Sequence, residues 1–256
     1  ICHSIPSPLI WQEYKAYQEN KYGGKMTKVM FRSKIHPWTR DNSNRGFIFE
    51  VNNDGPLHED NIFYDLFFKV REDFKSWFTR DGLRPLKFTR QTEEGSYRAS
   101  NTYLYNWDSA EPYISADVFT SSIGQKSMEI PLTPCTFDLP SLFFYARNMD
   151  FDTITPGIKY PMTFAIDDEV YNVYFILYGR ETIKVKGIGK VRTIRFAAKL
   201  LEGEVFQGEE DMTIWVTDDG NRIPIYFEAP LKVGMATGRV TGWTGLKHPF
   251  SSLVTD

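Results

Sequence analysis

The side chains of this chain best suited to chemistry are four short carboxylate runs: Asp150 and Asp152, Asp167 through Glu169, Glu209 through Asp211, and Asp218 with Asp219. Cleavage of a glycoside would need two such groups facing each other across a cleft, one of them holding its proton near neutrality. Three of the runs fall where the chain is expected to turn, and Asp is favoured in turns for backbone reasons alone. They are therefore read as turn carboxylates, and the spacing of an EF-hand calcium loop is absent. His3, His36, His58 and His248 are far apart and lack metal-ligand spacing. Cys2 and Cys135 form neither a CxxC pair nor a cluster with histidine; one long-range bridge or two free thiols both fit. No GxSxG, HExxH or P-loop occurs, and Gly187-Ile188-Gly189-Lys190 sits between strands with no helix to present phosphate-binding amides. No enzyme motif, metal or cofactor is expected.

Aromatic residues are the second candidate group. "WFTRDGLRPLKF" from Trp77 is echoed by "WVTDDGNRIPIYF" from Trp215: tryptophan, an apolar residue, threonine, an Asp-Gly turn, proline, then a strand. Strand alternation places Met212, Ile214 and Val216 on one face with Trp215 opposite, and Phe74, Ser76 and Phe78 on one face with Trp77 opposite, provided no bulge intervenes. The two indoles could line a ligand surface or pack beneath a loop or helix. Phe143, Phe144 and Tyr145 could gate an apolar cavity or pack as an ordinary helix-on-sheet core. Within 170–178, Tyr171, Val173, Phe175 and Leu177 share a face and Tyr174, Ile176 and Tyr178 the other, so both faces need cover, from a core, a helix or a cavity. The candidate ligand-binding residues are Trp77, Trp215, Tyr174, Tyr178, Phe143 and Phe144.

These residues require a scaffold rich in strands. The 256 residues are 41% hydrophobic and 25% charged, with a net charge of −3. The aromatic share of 16% favours half-buried pleated surfaces. No clustered basic face marks a nucleic-acid partner, and no apolar run reaches the roughly 20 residues of a transmembrane helix. Residues 7–22 fit a short helix or an edge strand. Period-two alternation predicts strands at 25–35, 46–51, 113–119 and 126–132, and strand rather than helix for 63–78. Turns at Glu94-Gly95, Asp167-Asp168 and Gly187–Gly189 divide further strands, including 204–208. Asp138 as N-cap and Pro140 in the first turn predict one helix over about 138–148.

The expected fold is all-β: a long, curved antiparallel meander forming an open or partly closed barrel, with the helix on its concave side. Residues 1–24 are an N-terminal extension. Residues 25–256 form a single β domain of two similar meanders, about 25–132 and 155–250, joined by the helix. In the repeat, Asp-Gly tightens a turn and proline opens the return strand, which makes it structural punctuation.

"DLFFKVRE" (65–72), "GLRPLKFTRQTEEGSYR" (82–98), "PCTFDLPSLFFYARNMDF" (134–151), "YGRETIKVKGIGKVRTIRF" (178–196) and "MTIWVTDDGNRIPI" (212–225) resemble the domain of unknown function 3108 family of Bacteroidetes. "QENKYGGKMTKVMF" departs from the strand pattern with which that family opens. The resemblance implies an exported protein of the cell envelope or periplasm without established activity. A chain opening on Ile1 agrees with a removed signal peptide. The Trp–turn–Pro strand is also similar, at the level of fold, to periplasmic lipoprotein carriers, half-open barrels with helices over an apolar face. The functional expectation is a non-enzymatic envelope protein binding an apolar ligand, a lipid or acyl chain, between sheet and helix. The alternatives are a structural or protein-interaction module of the envelope and a glycan-binding or glycan-cleaving protein.

Overall fold

A computed structural model of the chain describes residues 11–19, 25–40, 44–53, 70–79, 83–134, 136–199, 211–230 and 235–255. The two cysteines, the predicted strand at 204–208 and residues 63–69 lie outside them. The fold is mostly β, as expected: a curled, mostly antiparallel half-barrel sheet, a second antiparallel sheet, and one helix among the described residues. The described residues divide into two compact units, those within 31–148 and 163–172 in the first and those within 11–30, 149–162 and 173–255 in the second.

The first unit is a meander. β2 (Lys25–Arg40, from Phe31 on), β3 (Asn44–Asn53), β4 (Val70–Thr79), β5 (Pro85–Glu94), β6 (Tyr97–Asn106), β7 (Tyr113–Thr120) and β8 (Gly124–Pro131) pair antiparallel, each with the next. Strict alternation in β7 leaves Ile114, Ala116 and Val118 buried and Ser115, Asp117 and Phe119 exposed. The buried set joins Phe88, Tyr103 and Tyr105 of the neighbouring strands in one core. Short β9 (Thr136–Phe137) pairs in parallel with β10 (Lys159–Ile166) through Thr163 and Phe164.

Helix α1 (Leu139–Asn148) starts where its capping chemistry dictates. Asp138 Oδ1 accepts the Ser141 amide at 2.8 Å, and the Ser141 hydroxyl accepts the Asp138 amide at 3.0 Å, so two otherwise orphaned donors are satisfied reciprocally. The helix packs on β3, β4 and β9. Phe144 lies against Phe78 with ring centroids 5.7 Å apart, and Leu83 completes the contact.

In the second unit β11 (Glu169–Val185, from Val173 on), β12 (Gly189–Lys199), β13 (Asp211–Thr217), β14 (Pro224–Pro230) and β15 (Met235–Thr244) form an antiparallel meander. β1 (Trp11–Glu19) pairs with β15, so the region expected as an extension contributes a strand, and the helix-or-strand ambiguity of 7–22 resolves to strand over these residues. β16 (Leu253–Val254) adds to β12. β11 continues through Gly179 and Arg180. Its register with β12 shifts between Leu177 and Gly179, leaving Tyr178 as the extra residue of a bulge. Gly179 takes φ of 130°, which a residue with a Cβ rarely adopts.

Candidate functional site

The two Trp hairpins share one backbone solution. In each, the register shifts immediately after the tryptophan, so that Phe78 faces Pro85 and Val216 faces Pro224. The threonine amide donates to the carbonyl of the residue before proline, Thr79 to Arg84 at 2.9 Å and Thr217 to Ile223 at 2.8 Å. The threonine hydroxyl accepts the amide of that same residue, at 3.1 Å and 2.8 Å respectively. Two residues before each proline the backbone turns left-handed, at Leu83 (φ 55°) and Arg222 (φ 48°).

The side chains around the two indoles differ. Trp77 pairs across strands with Lys87, whose Nζ stands 5.0 Å above its ring. Its neighbours Ser76 and Phe78 are buried on the opposite face, against the helix. Trp77 therefore does not line the space between sheet and helix. That space is filled: Phe78, Leu83 and Phe144 are 0–2% exposed, and Phe143 packs on them. Beneath the helix the carboxylate of Asp138 is fully buried and takes the Ser76 hydroxyl at 2.7 Å. Burial pushes its pKa up to about 6, opposed by hydrogen bonds from Ser76 and Ser141. The hydroxyl of Tyr105 is buried with no hydrogen-bond partner, and desolvation, with Asp138 adding to it, raises its pKa well above the usual phenol value.

Trp215 stands in a row that crosses the second unit. In register, Gly179 faces Arg195, Arg195 faces Trp215, Trp215 faces Tyr226, and Tyr226 faces Arg239. The Arg195 guanidinium lies 4.9 Å from the Tyr178 ring and 5.5 Å from the Trp215 ring, and the Trp215 and Tyr226 centroids are 5.2 Å apart. Such cation–π contacts are each worth about 0.5–2 kcal/mol, depending on desolvation. Glu181 anchors the row by accepting the indole N–H at 2.8 Å and lying 3.8 Å from Arg195. Trp215 is 8% exposed and packs with Val185, Val191, Ile225 and Val240. The aliphatic cover expected on one face of β13 is thus present around the indole as well.

Beside this row opens a cleft of about 570 Å³. Trp215 and Tyr226 form one wall, Ile183 and Val185 of the β11–β12 hairpin another, and Glu228, Thr237 and Arg239 line it from β14 and β15, with Lys184 and Lys186 beside the hairpin wall. The hairpin tip is tied across the intervening strands by Arg239 Nη1, which donates to the Lys186 carbonyl at 3.1 Å. The Glu228 carboxylate accepts the Tyr226 hydroxyl at 2.9 Å.

Of the sequence candidates, the structure brings Tyr178 and Trp215 together through Arg195. Tyr174 lies on the same strand as Tyr178. Its ring carries Lys159 Nζ at 4.2 Å and its hydroxyl donates to Asp211 at 3.0 Å. Val173, Phe175 and Leu177 are buried, while Tyr178 on the other face is 47% exposed. Trp77, Phe143 and Phe144 belong to the first unit. Sequence reading missed Arg195, Glu181, Tyr226 and Arg239. Their signal was a charged or hydroxylated residue inside each strand pattern, which gains meaning only once the registers align them.

The turn carboxylates have assigned partners. Asp152 and Asp218 converge on Arg180, at 2.5 and 3.2 Å, and the hydrogen bond that Arg180 donates to Asp152 is the largest cause raising the arginine's pKa. Asp167 takes Arg90 at 2.9 Å and the Asn101 amide at 3.0 Å. Among the described residues, no group of three or more His, Cys, Asp or Glu is placed to hold a metal, and no helix is long and apolar enough to cross a membrane.

No curated protein matches the chain. Among solved structures it is similar to a β-barrel-like protein of domain of unknown function DUF1849 from Brucella abortus, with a TM-score of 0.55 and 9% identity over 95% of this chain and 99% of that one. At that identity the likeness concerns the fold alone. Residues 59–241 match the family described as protein of unknown function DUF3108. With most of its length covered by that match, including both tryptophan hairpins and the aromatic row, the chain belongs to the DUF3108 family.

Proposed function

We propose that this protein is a non-enzymatic ligand-binding protein of the cell envelope, holding an apolar or amphiphilic molecule in the cleft beside Trp215. The observation that carries this reading is the cleft itself. Its volume of about 570 Å³ falls within the range of small-molecule sites, and its apolar walls are Trp215, Tyr226, Ile183 and Val185. The site differs from the one sequence reading favoured, because the helix–sheet interface is closed by Phe78, Leu83 and Phe144. The absence of chemistry in the proposal rests on the acids. Among the described residues Glu228 is the one carboxylate lining the cleft, and it receives the Tyr226 hydroxyl, while Asp152 and Asp218 face Arg180 and Asp167 faces Arg90. The envelope assignment draws on the family resemblance in the sequence.

The test uses N-phenyl-1-naphthylamine, a neutral apolar dye that brightens when water is excluded. Saturable, one-to-one brightening with the purified chain, sharply weakened by Ile183→Glu at the cleft wall, is the expected result. A detergent-free preparation with a clean apo mass and no saturable dye uptake would sink the reading.

A further inference from the structure

Resting on that reading, we infer that the ligand of the Trp215 cleft carries an uncharged head with hydroxyl donors, of the kind a monoacylglycerol presents. The head sits on Glu228 and Thr237 while the apolar body lies on Trp215 and Ile183. Strand register sets the polar end of the cleft. Tyr226 faces Arg239, and two residues along the same pair of strands Glu228 faces Thr237, so all four side chains share the face that carries Trp215. The same alternation turns Ile183 and Val185 towards the cleft and Lys184 to the opposite face. Lys186 meets the sheet through its backbone carbonyl. Among the described residues, the charges at this end are therefore one carboxylate and one guanidinium, on neighbouring rungs of the same face.

Two opposite charges so placed discriminate against both kinds of ion. An anionic head drawn to Arg239 lies beside the Glu228 carboxylate, and an ammonium head drawn to Glu228 lies beside the Arg239 guanidinium. Diagonal neighbours on such a ladder are about 7–8 Å apart, close enough for a like charge to count against binding. The guanidinium is also engaged, since its Nη1 donates to the Lys186 carbonyl at 3.1 Å. What the cleft offers is acceptors. Tyr226 donates to Oε1 of Glu228 at 2.9 Å, and among the described residues the second carboxylate oxygen and the Thr237 hydroxyl have no protein partner. Glu228 is half-buried and Thr237 is 6% exposed. A ligand that covers them without donating a hydrogen bond strips away their water and returns nothing. A hydroxyl restores the bond, and bonds to a charged acceptor are the stronger class.

Displacement of bound N-phenyl-1-naphthylamine tests the inference with ligands of one chain length, each kept below micelle formation: 1-monododecanoylglycerol, methyl dodecanoate, dodecanoate and dodecyltrimethylammonium. The glyceride should displace the dye at roughly tenfold lower concentration than the methyl ester, which has the same ester and no hydroxyl. It should also outdo both ions, and its displacement should be indifferent to salt. Glu228→Leu should bring glyceride and methyl ester to within about threefold of each other, a ratio from which any general change in dye affinity cancels. Thr237→Val, which removes a hydroxyl and no charge, should narrow the same ratio less. Equal displacement by glyceride and methyl ester, or a stronger effect of either ion, overturns the uncharged hydroxyl head and leaves the binding site standing. The full preference retained in both variants overturns the seat on Glu228 and Thr237. Dye uptake without displacement by any of these ligands overturns the amphiphile. Absence of dye uptake is the separate result that removes the cleft as a site altogether.

Discussion

The hairpins at Trp77 and Trp215 are the same turn with different surroundings. Both place a bulge after the indole, both clip a threonine to the residue before proline, and both accept a left-handed residue two positions before that proline. The side chains that meet them diverge. The residue preceding the first tryptophan, Ser76, binds a buried carboxylate under the helix; the corresponding Ile214 is apolar. Across the ladder the first indole meets Lys87 and the second meets Tyr226. The second turn is additionally clasped by the C-terminal tail. Asn221 donates to the His248 and Pro249 carbonyls at 2.9 and 3.2 Å, and Asp219 accepts the buried Ser252 hydroxyl at 2.8 Å. A turn sequence therefore fixes a local backbone and leaves the use of its tryptophan to neighbouring strands.

The largest expected difference lies in the indoles themselves. Trp215→Ala should cost roughly 3–5 kcal/mol, the range for removing a buried aromatic, because it opens a void among Val185, Ile225 and Val240. Trp77→Ala should cost roughly 1–2 kcal/mol, since half-burial removes less surface from water. Urea unfolding of the two variants measures both values. Equal losses would show that the two surroundings are energetically alike.

Next comes a titration carried by the first hairpin's unit. Asp138 has a pKa of about 6 in the folded chain, above its ordinary value of 3.8. The folded state then holds the proton more tightly than the unfolded one. The associated stability is fully present below about pH 4 and is lost as pH rises through 6, on the order of 3 kcal/mol in total. Asp138→Asn should flatten that slope between pH 4 and 7. A slope unchanged in the variant would place the titration elsewhere.

The threonine clips give a smaller contrast. Thr217 is fully buried, and its hydroxyl also donates to Asp219 at 3.0 Å. Thr217→Val should cost about 2 kcal/mol by leaving the Ile223 amide without its side-chain acceptor. Thr79→Val, at a half-buried site, should cost about 1 kcal/mol or less. The ratio of the two values, read from paired unfolding curves, sharpens the comparison. The smallest effect is at the first indole's cation: Lys87→Met should change stability by about 0.5 kcal/mol. A loss above roughly 2 kcal/mol in the same unfolding measurement would mean that Trp77 depends on its surroundings as heavily as Trp215 does.

Much of the scaffold was legible in the sequence. Alternation located β2, β3, β7 and β8, and Asp138 with Pro140 marked the helix start within a residue. The repeat announced two matching hairpins, each return strand opening on proline. The site was legible only in fragments. Tyr178 and Trp215 stood out as aromatic, but the expected cavity between helix and sheet is closed by Phe78 and Phe144, which sequence reading assigned to opposite roles, one to a strand face and one to a ligand surface. Arg195, Tyr226 and Arg239 resembled ordinary strand residues.

Local chemistry explains the division. Which residues can turn, cap or alternate depends on bonds within a few positions, so the sequence by itself determined the strands, the turns and the capped helix. Which side chain stands beside Trp215 depends on the register of strands that are distant in the chain. A shift by one residue would exchange every face. The row from Tyr178 to Arg239, and the cleft beside it, exist because the bulges after Leu177 and Trp215 set that register, and only the tertiary structure decided it.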